Sequence, residues 1–240
     1  MMAIYKRELR LCFGMGLGYF VVCALLLLSG IVTFLNHFVA ASTDFSAVVL
    51  RMEWGFIVAV PLLSMSSFAR ERREGTEPCL AALPISTAAL VAGKFGAVSS
   101  VFLLPTAVTA LYPLILHSIG EIPLAAAYSA WLGYLLLGLF LIALGMLISS
   151  LCRHEAVAGG VTLAVLLALI LLPKLAAILP TPWLSALLVQ TNPFARLSGF
   201  AHGYFDLTGV FYYLSATAVC LLLTALSFVS RRVLGEGVRA

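Results

Sequence analysis

The most informative absence in this sequence is that of charge. Only 10% of its 240 residues are Asp, Glu, Lys or Arg, whereas soluble domains carry about 25%. Hydrophobic residues make up 62% of the chain, and the mean hydropathy is +1.11. This composition excludes a water-soluble core, and no stretch has the composition of a soluble domain. Residues 1–240 are therefore predicted to form a single membrane domain.

Motifs for catalysis and for nucleotide or metal binding are also missing. The pair Gly93-Lys94 is similar to the end of a phosphate-binding loop, but Ala88 and Phe95 stand where that loop requires Gly and Ser or Thr. The pair His154-Glu155 does not extend to a zinc motif, because position 158 is alanine. The five cysteines include no Cys-x-x-Cys pair, so a zinc or redox motif is not supported. We expect no enzymatic activity, cofactor or metal site in this chain.

Six apolar runs are long enough to cross a bilayer, which takes about 20 helical residues. Backbone groups in lipid must bond within the protein, and the runs lack the alternation of a barrel, so helices are predicted. The centres of the runs contain no ionisable residue, which argues against a proton-coupled carrier and for an energy source outside the chain. The predicted spans are about Leu17–Leu35, Val48–Phe68, Phe95–Leu116, Leu124–Leu151, Ala156–Leu172 and Val210–Val229.

The positive charges are divided unequally between the two sides of the membrane. Eleven of the 14 Lys and Arg residues fall on the side that holds both termini and residues 70–94, and three fall on the other side. The positive-inside rule places the richer side in the cytoplasm. The net charge of +4 is thus explained by topology and does not indicate nucleic-acid binding.

The amino-terminal segment Met2–Phe13 is amphipathic at helical spacing. One face carries apolar residues and the other carries most of the positive charge. The segment is predicted either to lie along the inner headgroups or to be a plain positive flank of the first span. The apolar face contains Tyr5, Leu9, Cys12 and Phe13, and the basic face contains Lys6, Arg7 and Arg10.

The insert, residues 67–94, is the only long charged segment between two spans. Gly75 permits an unusual backbone conformation, Thr76 is a good N-cap and Glu77 suits a first helical turn. A short helix over Thr76–Leu83 is predicted, with Leu80 and Leu83 as its apolar face and Pro84 as its end. Ser86 or Thr87 can cap the next helix, which is predicted to run into the third span. It is either a lever joined to two spans or an ordinary charged loop that fixes topology.

The segment Pro173–Leu207 on the opposite side is too apolar for a solvated loop. Its Pro and aromatic residues predict short helices that dip back at the outer interface. Irregular backbone at that depth must be covered by protein or line a cavity. The segment is therefore either an exit gate or a static lid.

Two sets of residues carry a family likeness. The insert contains Phe68, Arg70-Glu71-Arg72, Glu74-Gly75-Thr76, Leu80, Pro84-Ile85-Ser86 and Gly93-Lys94. The rest of the chain contains Tyr5-Lys6-Arg7-Glu8-Leu9, Asn192-Pro193-Phe194, Gly203, Asp206-Leu207 and Tyr212-Tyr213-Leu214-Ser215. The first set resembles the signature of type-2 ATP-binding-cassette (ABC-2) permeases, and the second is similar to the gliding-motility-type branch of that family.

The resemblance implies a fold and partners that spacing alone does not supply. The fold would be that of an all-α, six-span permease with an amino-terminal interface helix, a cytoplasmic coupling helix and a re-entrant outer segment. Thr76–Leu83 would dock on a separate ABC ATPase present in two copies, which holds the ATP and Mg²⁺. The membrane partner would be a second permease copy or a related permease. The location would be a bacterial inner membrane.

The predicted function is that of a permease subunit, in an exporter, driven by the separate ATPase. The alternative is a non-transporting anchor or biogenesis subunit of an envelope complex. The family likeness gives the insert the role of ATPase-coupling site, with a polar rim and an apolar centre. The rim is assigned to Arg70, Arg72, Glu74 and Glu77, the apolar centre to Leu80 and Leu83, and the backbone geometry to Gly75, Thr76 and Pro84.

Overall fold

A computed structural model describes residues 2–39, 44–75, 86–118, 123–176, 188, 190–201 and 206–237, with backbone alone at 3, 174–176 and 231–237. Every regular element in these ranges is a helix, so the predicted all-α class is confirmed. The α-helices are α1 Met2–Gly14, α2 Leu17–Phe34, α3 Phe45–Met52, α4 Phe56–Arg73, α5 Thr87–Thr109, α6 Tyr112–His117, α7 Leu124–Leu151, α8 Glu155–Ala176, α9 Pro193–Ala201 and α10 Leu207–Gly237. A π-helical turn, Leu35–Val39, extends α2, and a 3-10 turn, Glu53–Gly55, joins α3 to α4.

Six helical segments among the described residues are long and apolar enough to cross a membrane, as predicted. The fourth predicted span coincides with α7 at both ends. The other segments extend beyond the predicted runs, because their polar ends are helical as well. The six segments are Leu17–Val39, Phe45–Arg73, Thr87–His117, Leu124–Leu151, Glu155–Pro173 and Leu207–Ser230.

The helix of the third span begins at one of the two caps that the sequence predicts. Helix α5 starts at Thr87, where Ser86 is the N-cap and its hydroxyl accepts a hydrogen bond from the backbone N–H of Ala89 at 3.3 Å. The helix therefore extends about two turns before Phe95, where the apolar run begins. Lys94 consequently lies inside a buried helix face instead of in a charged loop, and only 1% of it is exposed.

Helix α7 is the centre of the bundle. Two thirds (67%) of its most apolar window is buried, against 22% to 28% for the spans that begin at Leu17, Glu155 and Leu207. Lipid is as apolar as leucine, so helices in a membrane associate mainly through close packing of small residues. At Gly138 a Cβ atom would come within 2.3 Å of the Phe102 ring, and at Gly145 within 2.5 Å of the Ser64 hydroxyl. These glycines let α5 and α4 approach the axis of α7.

Helix α1 packs against α5 through the apolar face that the sequence analysis identifies. Leu9, Cys12 and Phe13 pack on the core, and the Tyr5 hydroxyl lies 2.9 Å from the Ser100 hydroxyl. The basic residues of α1 are exposed. The turn into α2 places Gly16 at φ +77, a left-handed conformation that favours glycine.

Part of the Pro173–Leu207 segment is helical. Helix α9 packs on α7, where the Ser129 hydroxyl donates to the Phe200 carbonyl at 2.9 Å and the Phe200 side chain covers Gly133. Gly133 lies about 13 Å along α7 from its first residue, at 1.5 Å per residue. The structure therefore contains one of the short helices that the sequence predicts here. Residues 177–187, 189 and 202–205 lie outside the described part of the chain.

Candidate functional site

The predicted coupling site lies at the end of the bundle where α4 ends and α5 begins, which we call the insert end. Four of its residues, Arg70, Arg72, Glu74 and Gly75, are within the described ranges. The other five predicted residues lie outside them, so the short helix stays a prediction. Those residues are Thr76, Glu77, Leu80, Leu83 and Pro84.

Arg70 and Glu74 form a pair at the surface of the insert end. Arg70 Nε lies 2.8 Å from Glu74 Oε1, one helical turn along the chain, and the Arg70 guanidinium also contacts the sulfur of Met15. Gly75 follows with φ +67, a left-handed value that lets the chain turn away from α4. Glu74 is thus an exposed group at the point where the chain leaves the helix.

Arg72, which the family likeness assigns to the docking rim, contacts the end of α7. Its guanidinium donates to the backbone carbonyls of Ser150 and, at 2.9 Å, Cys152, at the carboxyl end of α7. The last carbonyls of a helix have no partner within the helix and carry partial negative charge, so a guanidinium satisfies and stabilises them. Arg72 therefore ties α4 to α7.

Glu71 and Lys94 lie at the centre of a buried ion cluster that the sequence analysis did not identify. Lys94 Nζ is 2.8 Å from Glu71 Oε1, 3.0 Å from Glu8 Oε1 and 2.7 Å from the Ser67 carbonyl. These three bonds use all three hydrogens of the ammonium group. Only 6% of Glu71 and 7% of Glu8 are exposed. The cluster joins α1, α4 and α5.

Two further groups complete the surroundings of the cluster. The Phe68 ring lies with its centroid 5.0 Å from Lys94 Nζ, a distance at which the face of a ring attracts a cation. The half-exposed Arg7 places a guanidinium nitrogen 3.9 Å from Glu71 Oε1. Two carboxylates and two cations thus balance in formal charge.

A pattern in the sequence points to Glu8. Ile4, Glu8 and Cys12 recur at intervals of four, so Glu8 lies in the middle of the face that packs on α5. A carboxylate in such a position requires a cation on the facing helix, because burying it alone is costly. The sequence does not show which cation, since Lys94 lies 86 positions along the chain.

Two buried polar side chains at the far end of the bundle make neutral hydrogen bonds. The Asn192 amide donates to the Leu169 carbonyl at 2.6 Å, and its oxygen accepts from the Phe194 N–H at 2.8 Å, which caps α9. The buried Tyr213 hydroxyl donates to the Pro193 carbonyl at 2.6 Å. These residues belong to the Asn-Pro-Phe and Tyr-Tyr motifs. Their contacts attach α9 to α8 and α10.

Comparison with known proteins gives one family. Residues 54–231, which are 178 of the 240 residues, match the family described as ABC-2 family transporter protein. The chain belongs to the ABC-2 transporter family. No curated protein matches it. This ABC-2 chain is a multi-pass membrane protein, and its family supplies the membrane component of ABC transporters.

Proposed function

We propose that this ABC-2 chain is the permease subunit of an exporter driven by a separate ABC ATPase, in which the ATP and Mg²⁺ are held. The observation that carries the proposal is the family match together with the insert end. There, α4 ends in the exposed residues Arg73, Glu74 and Gly75, and α5 begins after its N-cap Ser86. The ten intervening residues are proposed to dock on the ATPase.

The proposed mechanism depends on the connection between the insert and the spans. Closure of the ATPases would displace residues 76–83, and the displacement would pass to α4 and α5. A two-state change of this kind requires the ATPase to bind one permease state more tightly than the other. The exposed Glu74 and the Arg70 beside it remain candidates for the docking rim, whereas Arg72 positions α4 on α7.

The remaining details are proposed in the same way. The membrane is proposed to be a bacterial inner membrane. Both termini and the insert are proposed to face the cytoplasm, because positive charge is in excess on their side. Two permease chains and two ATPases follow from the family plan. The whole chain is proposed to be one domain, because α1 and α2, which precede the family match, pack on the described core. The motifs at the far end support a place in the gliding-motility-type branch.

The docking assignment is tested with Leu80→Asp in the full chain, purified with an ABC ATPase encoded beside it. A carboxylate forced into an apolar contact costs about 2 kcal/mol or more, so co-purification of the ATPase is expected to fall at least about thirtyfold. Stimulation of ATP turnover should fall with it, while membrane insertion is unchanged.

The matched control is Leu207→Asp, which makes the same chemical change at the far end. Leu207 is 60% exposed and opens α10, where a carboxylate is tolerated in the first turn. This variant should bind the ATPase like the wild type. Wild-type stimulation by Leu80→Asp would refute the docking assignment, and loss of binding in both variants would place the effect outside the insert.

A further inference from the structure

Stability alone does not explain the buried ion cluster of Lys94, Glu8 and Glu71. Replacing a buried ion pair by apolar residues of similar size is often neutral or stabilising, because desolvation offsets most of the attraction. Removing one partner alone is strongly destabilising, since it leaves an uncompensated charge. A cluster of this kind therefore fixes which helices lie together more than it adds stability.

Two of the three helices that the cluster joins flank residues 76–85 of the insert. Glu71 lies in the last turn of α4, before these residues, and Lys94 lies two turns into α5, after them. Glu8 comes from α1, which has no other acidic residue. One ammonium group thus bonds to both helices that flank the insert's ten-residue gap and to the amino-terminal helix.

The outward face of α1 is basic, whereas the inward face carries the acidic Glu8. Lys6, Arg7 and Arg10 are exposed, whereas Glu8 faces the bundle. A basic helix face of this type is attracted to anionic headgroups. Without the cluster, the apolar face and the Tyr5–Ser100 hydrogen bond would be the remaining attachments of α1 to α5.

We propose that Lys94, Glu8 and Glu71 are positioning residues that make α1, α4 and α5 move as one rigid body. A displacement of the insert would then pass to both spans together instead of separating them at their ends. This inference rests on the proposed function, because it concerns how a push from the ATPase is transmitted. The attachment of α1 can nevertheless be measured on the permease alone.

The first experiment measures that attachment by limited trypsin digestion of the full chain. The protein is held in nanodiscs of phosphatidylethanolamine and phosphatidylglycerol, which expose both faces. In Lys94→Met, cleavage at Lys6, Arg7 and Arg10 is expected to rise at least about tenfold, because cleavage follows the population of the undocked helix. Wild-type cleavage in this variant would overturn the proposal.

A further variant separates charge from packing. The neutral triple variant Glu8→Gln, Glu71→Gln, Lys94→Met removes every uncompensated charge, so it should fold with a near wild-type Tm even if Lys94→Met does not. Its α1 should still be cleaved faster than in the wild type. Slow cleavage in the triple variant would show that packing alone holds α1.

The second experiment measures transmission in the same nanodiscs with the ATPase added. The triple variant should co-purify with the ATPase like the wild type but stimulate ATP turnover at least about fivefold less, a loss typical of coupling energies. Unchanged stimulation would reduce the cluster to a structural role and overturn the proposal. If no ATPase responds even to the wild-type chain, the proposed function fails, while the trypsin result still decides whether the cluster holds α1.

Discussion

The two ends of the bundle are held together by different chemistry. At the insert end, charged groups are buried: Lys94 lies between Glu8 and Glu71, and Arg72 binds the carbonyls that end α7. At the far end, Asn192 and Tyr213 make neutral hydrogen bonds to backbone carbonyls. Among the described residues, the buried charged side chains lie at the insert end, whereas a far-end charge such as Arg196, which donates to the Gln190 carbonyl at 3.1 Å, is partly exposed.

The two kinds of contact differ in the damage that their loss causes. A neutral hydrogen bond contributes about 1 kcal/mol net, and its loss weakens the contact between helices but leaves no unpaired charge. Loss of one member of a buried ion cluster costs about 3–5 kcal/mol, because the remaining charge has no partner. Removing one residue's contacts is therefore expected to destabilise the insert end more than the far end.

The largest effect expected at the far end is that of Asn192→Ala. The change removes the cap of α9 and leaves the Leu169 carbonyl without its side-chain donor, at a combined cost of about 2–3 kcal/mol. Thermal unfolding in detergent micelles measures it. Asn36→Ala is the control, because Asn36 is equally buried but makes one described bond, from its amide to the Asp44 carbonyl at 3.0 Å. A control loss as large as that of Asn192→Ala would contradict the two-bond explanation.

A smaller effect is expected at Cys12, which adjoins the ion cluster. Burial and then the nearby Glu8 carboxylate raise the pKa of the Cys12 thiol, so less thiolate is present at pH 8 than for a free cysteine. Thiolate is the reactive form, and maleimide should therefore react slowly with Cys12 when it is the only cysteine. In Glu8→Gln, one source of negative charge is gone, the pKa falls and the rate at pH 8 should rise a few-fold.

The pH profile distinguishes this electrostatic effect from loosening of α1. A lower pKa moves the midpoint of the alkylation rate to lower pH and leaves the limiting rate at high pH unchanged. Loosening relieves the burial of the thiol, so it raises the limiting rate as well as moving the midpoint. A midpoint that does not move in Glu8→Gln would show that Glu8 does not influence the thiol.

The smallest effect is expected for Glu74→Gln at the surface of the insert end. Its ion pair with Arg70 is largely exposed, and such pairs contribute about 0.5 kcal/mol or less. Thermal unfolding in micelles should shift little, and adding about 0.5 M salt should remove the difference from the wild type. A loss comparable with that of Lys94→Met would show that surface charge, and not the buried cluster, holds this end.

The spans could be predicted because they depend on local composition. Helix α7 contains no charged residue, so its bounds followed from hydropathy alone. Hydropathy does not give the start of α5, because Lys94 interrupts the apolar run, whereas the capping residue Ser86 does. A lysine ends a hydropathy signal but does not end a helix when carboxylates from two other helices compensate its charge. That compensation is a tertiary contact, which hydropathy does not record.

The candidate site was predictable in part for the same reason. The left-handed turn at Gly75 matches the expectation from its residue type, since glycine favours such a conformation. The charged run around it is predicted to supply a single docking rim, yet Arg70, Glu71 and Arg72 point to three different partners. Successive residues on a helix face different directions, about 100° apart, so a run of charges can be divided among several neighbours.

The distance along the chain between Glu8 and Lys94 has a consequence for biosynthesis. The amino-terminal helix is made first, but the cation that neutralises its carboxylate is translated 86 residues later, after two spans have emerged. Until then, burying Glu8 would leave its charge uncompensated, so the carboxylate stays in water. The helix can meanwhile bind the lipid surface through its basic side chains. Arrival of the third span therefore sets the time at which the beginning of the protein reaches its final place.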